Sequence, residues 1–291
     1  MIPREMVTLM ERRRIVAEVR TETAIQALAV VDALASGGVT NIEISLAIPG
    51  AVEILSHLAT RRDVVIGAGA VLDAHQATEA ISAGARFVAS PILAPELVPV
   101  CRDANVACVL GALTPSEIIA AQRAGAEMVK LFPAEAIGGP RYIRALFRHL
   151  THLSLQISGG LTPENLGEYL ALPVKTIALG SLLVPRQLVE RGAWQAITTR
   201  ARAFSDFAAN PHANAAIFLQ SIGIAPRPQP AERDAIAAVP TVNVSPADAA
   251  VVAAIATQGP AQRQHDSGKE ASRRPWDSRP VELGDDEDWL R

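Results

Sequence analysis

Eight short apolar runs of strand length, each followed by a helical pattern, constrain this chain more than any other feature. The runs are IVAEV (15–19), NIEISL (41–46), DVVIGAG (63–69) and RFVAS (86–90). They continue with VACVL (106–110), EMVKLF (127–132), LSLQIS (153–158) and KTIALG (175–180). The segments between them carry helix signals. TAIQALAVVDALASGG has a helical apolar face and a Gly stop, and DAHQATEAISAGA opens on an Asp cap at Asp73. TPSEIIAAQRAGA and TPENLGEYLAL both open Thr-Pro, a cap residue followed by proline at the first helical position. Strict strand–helix alternation calls for a parallel sheet, whose strands need helical crossovers. Eight such units in about 190 residues fit a closed (β/α)8 TIM barrel. An open doubly wound sheet is the alternative, but no Gly-x-Gly-x-x-Gly fingerprint follows the first run.

The barrel pattern accounts for residues 1–208. Residues 209–257 keep apolar content and read as a partly helical extension; residues 258–291 are rich in proline, glycine and charge and read as a disordered tail. Within that tail Trp276, Trp289 and Leu290 are apolar residues in a solvated frame, which leaves two readings: a passive extension, or a docking segment for a protein partner. Hydrophobic residues make up 49% of the 291-residue chain, enough for one sizeable core. A net charge of −3 and 4% aromatic content give no pull toward nucleic acid and no base-stacking surface. No apolar run approaches the roughly 18 residues of a membrane span, and the amino terminus lacks a secretory pattern, so a cytoplasmic protein with no membrane association is expected. Cys101 and Cys108 form neither a disulfide framework nor a zinc spacing and read as reduced core thiols. The histidines at 57, 75, 149, 152, 212 and 265 show no ligand spacing, and no metal or cofactor is expected.

In such barrels the site lies at the C-terminal ends of the strands. Arg20 ends the first run, Glu43 and Ser45 lie on the second, and Lys130 lies on the sixth between apolar neighbours. A lysine there is either a wet amine at a strand end or a chemical amine in an apolar pocket. Glu43, between Ile42 and Ile44, is either an ion-pair partner or an acid/base group. Glu18 lies two residues before Arg20, on the same strand face, where it can pair with Arg20 or Lys130; a one-residue slip leaves it in solvent. Gly159 and Gly160 in ISGGLTPEN, and Gly180 and Ser181 in LGSLLVP, follow the seventh and eighth runs. Loops there bind phosphate in this architecture, although tight-turn glycines need no such role.

Several stretches together carry a resemblance: GGVTNIEISLAIPGA, VVIGAGAVLD, GARFVASP, LTPSEIIAAQRAGAEMVKLFPAE, ISGGLTPENLGEYLAL and LGSLLVP. In order and spacing, over about residues 10–205, the chain resembles the 2-keto-3-deoxy-6-phosphogluconate / 4-hydroxy-2-oxoglutarate aldolase family. The resemblance implies a class I aldolase that cleaves a 2-keto-3-deoxy sugar acid phosphate or 4-hydroxy-2-oxoglutarate to pyruvate and an aldehyde. It implies Lys130 as the Schiff-base lysine, Glu43 as the proton shuttle and Arg20 as the carboxylate grip, with Pro91 and Phe132 lining the pocket. It also implies a homotrimer acting on a small 2-oxoacid. Burial among Val129, Leu131 and Phe132 is expected to lower the pKa of Lys130, since attack on a ketone needs the neutral amine.

The chain departs from the family pattern at three places. Ala70 replaces a threonine whose hydroxyl helps hold the pyruvate carboxylate, Ala47 stands where some members carry an arginine, and Ser158 replaces a threonine before Gly-Gly. These departures leave two other readings open: a related 2-oxoacid lyase with a different aldehyde half, and a weakly active barrel that presents the tail.

Overall fold

Each of eight parallel strands pairs with the next, and the eighth returns to the first, so the sheet closes on itself. In this computed structural model the described residues are 2–211 and 215–223. The strands are β1 (Ile15–Val19), β2 (Asn41–Ser45), β3 (Val65–Gly69) and β4 (Phe87–Ala89). They continue with β5 (Ala107–Ala112), β6 (Met128–Leu131), β7 (Leu155–Ile157) and β8 (Thr176–Leu179). All eight lie on the apolar runs of the sequence, and the fold is a (β/α)8 barrel. Cys101 and Cys108 are buried free thiols. Among the described residues no helix is long and apolar enough to cross a membrane.

Helix α1 (Pro3–Arg13) precedes the barrel, and the sequence pattern did not announce it. Its buried residues Met6, Val7 and Met10 form one cluster with Val16, Val65, Phe87, Ala107 and Met128. These are inward residues at the first turns of their strands, so α1 plugs the N-terminal end of the barrel. Asn41 fixes the plug: its buried side-chain amide donates to the carbonyls of Met10 at 3.1 Å and Ile15 at 3.0 Å. That end is closed mainly by apolar packing, and the opposite end is the one left open.

The outer ring follows from capping and amphipathic spacing. In α2 (Ala24–Ser36) the Thr23 hydroxyl accepts from the Gln26 amide, and Ala27, Val30, Val31 and Leu34 form the buried stripe. The ring continues with α3 (Ala51–Leu58), α4 (Ala74–Ser82) capped by Asp73, and α5 (Leu97–Asp103). Helix α6 (Pro115–Ala124) opens on a full capping box between Thr114 and Glu117, and α7 (Gly139–His149) follows β6. At the second Thr-Pro signal Thr162 and Asn165 exchange side-chain-to-backbone hydrogen bonds in the same reciprocal way, residues 163–165 form a turn, and α8 spans only Leu166–Leu170.

After β8 come α9 (Arg186–Glu190) and α10 (Trp194–Ala209), the latter packed along α2 and closing the ring. Helix α11 (Ala215–Ser221) then returns to α10. Phe218 stacks on Phe207 with ring centroids 4.3 Å apart and meets Phe204 edge-on at 5.0 Å. Of the expected extension and tail, residues beyond 223 lie outside the described residues, Trp276, Trp289 and Leu290 among them.

The sequence pattern places the end of the folded barrel near residue 208, yet Phe218 and Leu219 are buried against α10. A chain ended after Asn210 is therefore expected to be less stable than one ended after Gly223, by about 3 kcal/mol, the scale of losing one buried phenylalanine. Thermal or urea melts of the two truncations check this; equal midpoints would show that α11 adds no stability.

Candidate active site

Alternation along each strand decides what faces the barrel interior. On β6 it turns Met128 and Lys130 inward and Val129 and Leu131 out to the helices. On β2 it turns Asn41, Glu43 and Ser45 inward and Ile42 and Ile44 out. On β1 it turns Val16 and Glu18 inward, and Glu18 stands directly opposite Glu43 in the β1–β2 register. Two neighbouring strands thus aim carboxylates at one level of the interior, and β6 aims an ammonium at them.

The three groups meet. Lys130 Nζ donates to Glu43 Oε1 at 2.9 Å and Oε2 at 3.0 Å, and to Glu18 Oε1 at 2.9 Å. The same Oε1 of Glu18 accepts from the Ser158 hydroxyl at 3.0 Å. The Lys130 and Glu43 side chains are 5% and 6% exposed, whereas Glu18 is 29% exposed. Of the alternatives open for Glu18, the structure selects Lys130. Arg20 has no hydrogen-bond or ion-pair partner among the described residues.

Two glycines of β3 make room for this arrangement. A Cβ on Gly67 would lie 2.4 Å from the Phe87 ring, and one on Gly69 would lie 1.9 Å from Glu43 Oε1. The GAGAV run is thus small because the groups opposite it are large. Room for the Glu43 carboxylate exists only because Gly69 has no side chain.

The charges at the centre shift one another. Burial, the largest influence on Glu43, pushes its carboxyl up to about 7; the Lys130 charge opposes this and the Glu18 charge adds to it. Burial also pushes the Lys130 ammonium down, but Glu43 and Glu18 together outweigh it, and the net shift is upward. This corrects the expectation of an amine made neutral by an apolar pocket. Val129 and Leu131 face away from Nζ, Phe132 is 40% exposed, and what surrounds the amine is two carboxylates.

A cavity of about 560 Å³ opens above the cluster at the C-terminal end of the strands. Of the residues singled out in the sequence, it is lined by Lys130, Glu43, Glu18, Ser45, Arg20, Ala70, Pro91, Phe132, Gly180 and Ser181. Ser158 joins through Glu18. Gly159 and Gly160 do not line it: a Cβ on Gly159 would meet Pro133 and Phe132, and one on Gly160 would meet Glu135, so both serve close packing of the β6 and β7 loops. The sequence reading passed over Glu22, Arg186 and Glu190 at the mouth. Arg186 bonds Glu190 at 2.6 Å and Glu22 at 2.7 Å. Two signals pointed to them: the Arg186–Glu190 spacing of four in a helix, and the placement of Glu22 two residues after Arg20. Among the described residues no group of three or more His, Cys, Asp or Glu side chains is arranged to hold a metal ion.

The family model for KDPG and KHG aldolase matches residues 6–200. The 2-dehydro-3-deoxy-phosphogluconate aldolase of Pseudomonas aeruginosa is 34% identical over 196 residues, 67% of this chain and 89% of that protein. The enzyme of the same name from Haemophilus influenzae is 36% identical over 185 residues, 63% of this chain and 87% of that protein. Among solved structures, the KDPG aldolase of Legionella pneumophila, with pyruvate captured at low pH as a covalent carbinolamine, superimposes with a TM-score of 0.64 at 29% identity. That match covers 68% of this chain and 96% of the Legionella chain.

The raised carboxyl of Glu43 has a consequence for stability. Its folded value lies above its unfolded one, so its contribution is fully present below the unfolded value near 4.5 and is lost as pH rises through about 7. Wild-type stability is expected to fall by about 2–3 kcal/mol between about pH 5 and 8 relative to Glu43→Gln, which has no such proton to lose. Urea melts of both proteins across that range check it; parallel curves would mean that Glu43 does not titrate there.

Proposed function

The chain belongs to the KDPG and KHG aldolase family and is a pyruvate-dependent carbon–carbon lyase, and on that premise we propose that Lys130 is its Schiff-base lysine and Glu43 its proton shuttle. The observation that carries this reading is the convergence of Lys130 and Glu43 at 2.9 Å on the floor of the cavity, with Arg20 unpaired at its wall. In this reading Lys130 Nζ attacks the C2 carbonyl of a 4-hydroxy-2-oxoacid, and Arg20 binds the C1 carboxylate. The protonated imine accepts the electron pair released when the C3–C4 bond breaks. Glu43 takes the C4 hydroxyl proton as the aldehyde leaves and returns a proton to C3 of the enamine. Hydrolysis of the pyruvate imine then frees Lys130. A carboxyl that titrates near neutrality suits a group that must both accept and donate.

The substrate we propose is a 2-keto-3-deoxy sugar acid phosphate or 4-hydroxy-2-oxoglutarate, in line with the names of the relatives. A second reading, a related 2-oxoacid lyase with a different aldehyde half, is favoured by the mouth of the cavity. There Arg186 is already engaged by Glu22 and Glu190, so Arg20 is the one unpaired cation among the described lining residues. Gly180 and Ser181 remain the candidates for the distal group of the substrate. On the resemblance alone, we extend the proposal to a cytoplasmic homotrimer.

Reduction with borohydride in the presence of pyruvate is expected to fix pyruvate on Lys130 and on no other lysine, as read by peptide mass mapping. Lys130→Ala should lose both adduct and cleavage, and Glu43→Gln should keep the adduct but lose turnover by roughly a hundredfold or more. Full cleavage activity in Lys130→Ala would rule out the mechanism.

Ala70→Thr tests the departure from the family pattern. A hydroxyl restored at the cavity wall at Ala70 is expected to tighten pyruvate binding about tenfold, the scale of one hydrogen bond to a charged acceptor. Unchanged or weaker binding by isothermal titration would favour the reading with a different aldehyde half.

A further inference from the structure

Glu18 is the carboxylate of the central cluster to which the reaction above gives no task. Its Oε1 lies 2.9 Å from Lys130 Nζ, as near as Glu43, and is held by the Ser158 hydroxyl at 3.0 Å. It lines the cavity, and its side chain is 29% exposed where Glu43 is 6% exposed. A proton moving between Nζ and Glu18 therefore has the open cavity beside it, the side from which a ketone arrives and to which water leaves. Glu43 is walled in by the β3 backbone at Gly69.

We propose that Glu18 is a second catalytic carboxylate, the acid and base of imine formation, which leaves Glu43 to the carbon–carbon bond. The proposal rests on Lys130 being the Schiff-base lysine. The steps balance as follows. The Glu18 carboxylate takes one proton from the Lys130 ammonium. The free amine adds to the C2 carbonyl, forming the C–N bond and an alkoxide on an ammonium centre. A proton passes from that nitrogen to the oxygen, giving the neutral carbinolamine. Protonated Glu18 then gives its proton to the hydroxyl, the C–O bond breaks, and water departs. The product is the protonated imine, with Glu18 again a carboxylate. Ser158, bonded to the same Oε1, positions Glu18 throughout.

The charge pattern explains why the lysine needs such a partner. Two carboxylates hold Lys130 charged, so its proton must go to a nearby acceptor before the amine can attack. Glu43 lies deeper, 6% exposed against 29%, which leaves Glu18 as the acceptor on the open side of the amine.

The test is the rate at which pyruvate and cyanoborohydride label Lys130, followed from about pH 6 to 9 in wild type, Glu18→Gln and Glu18→Asp. Glu18→Gln is expected to label roughly a hundredfold more slowly near neutrality, the scale of one general acid/base. Its rate should climb about tenfold per pH unit as water takes over the proton, while wild type stays flatter. Glu18→Asp, which keeps the carboxylate, should recover most of the loss. A purely electrostatic role gives the opposite sign, because removing a carboxylate frees the amine and speeds attack. Glu18→Gln labelling as fast as wild type or faster, or slowed by one factor at every pH, overturns the proposal, as does an equal loss in Glu18→Asp. If Glu18→Gln does not fold by circular dichroism, Glu18→Ala takes its place, with the same expected and overturning results. Wild type that traps no pyruvate on Lys130 overturns the lysine assignment itself, a different failure from any of these.

Discussion

Lys130 between Glu18 and Glu43 is the contact on which the candidate site is built. Ion pairs buried to this degree are costly to desolvate and do little for stability unless the remaining hydrogen-bond positions are filled. Here they are filled from three strands, with both Glu43 oxygens and Glu18 Oε1 on Nζ and the Ser158 hydroxyl on Glu18. Removing the ammonium leaves two carboxylates facing each other without a counter-charge, at a cost of about 3–5 kcal/mol. Two carboxylates and one ammonium also make an arrangement in which a proton has more than one place to reside, as imine chemistry requires.

The rest of the barrel follows from keeping that cluster at one end. Apolar packing of α1 against the first inward residues of the strands seals the opposite end. Gly67 yields its space to Phe87 and Gly69 yields its space to Glu43, so β3 is thin where the interior is crowded. The helices bury their apolar faces against the outward residues of the strands, which leaves the C-terminal loops free to shape a cavity of about 560 Å³. Glu22, Arg186 and Glu190 at its mouth join the β1 loop to α9 by paired charges. These exposed pairs shape the opening more than they add to stability.

Most strand positions were legible because a parallel barrel strand is buried on both faces and reads as a near-continuous apolar run. Helix starts were legible where a cap acts locally, as at Asp73 and Thr114. At Thr162 the same local cap is present, but a turn at 163–165 separates it from α8, which starts at Leu166. Helix α1 escaped notice because its partners Phe87, Ala107 and Met128 come from three separate strands. Arg186 was missed for a similar reason: its partners Glu22 and Glu190 lie 164 and 4 residues away, and only the nearer one leaves a local signal.

By itself the sequence determined the strand–helix alternation, the closed parallel barrel it implies, and the identities of the charged residues at strand ends. These depend on period, capping and composition, which act over a few residues. The charge state of Lys130 was decided only by the tertiary structure. The apolar neighbours Val129 and Leu131 suggested a neutral amine, but they lie on the other face of the strand, and β1 and β2 bring carboxylates from 112 and 87 residues away. Burial is a property that local sequence suggests, whereas a Coulomb partner is a matter of position in space. Closure of the sheet puts β1 and β2 across the interior from β6, and that distance fixes whether the lysine is alone or paired.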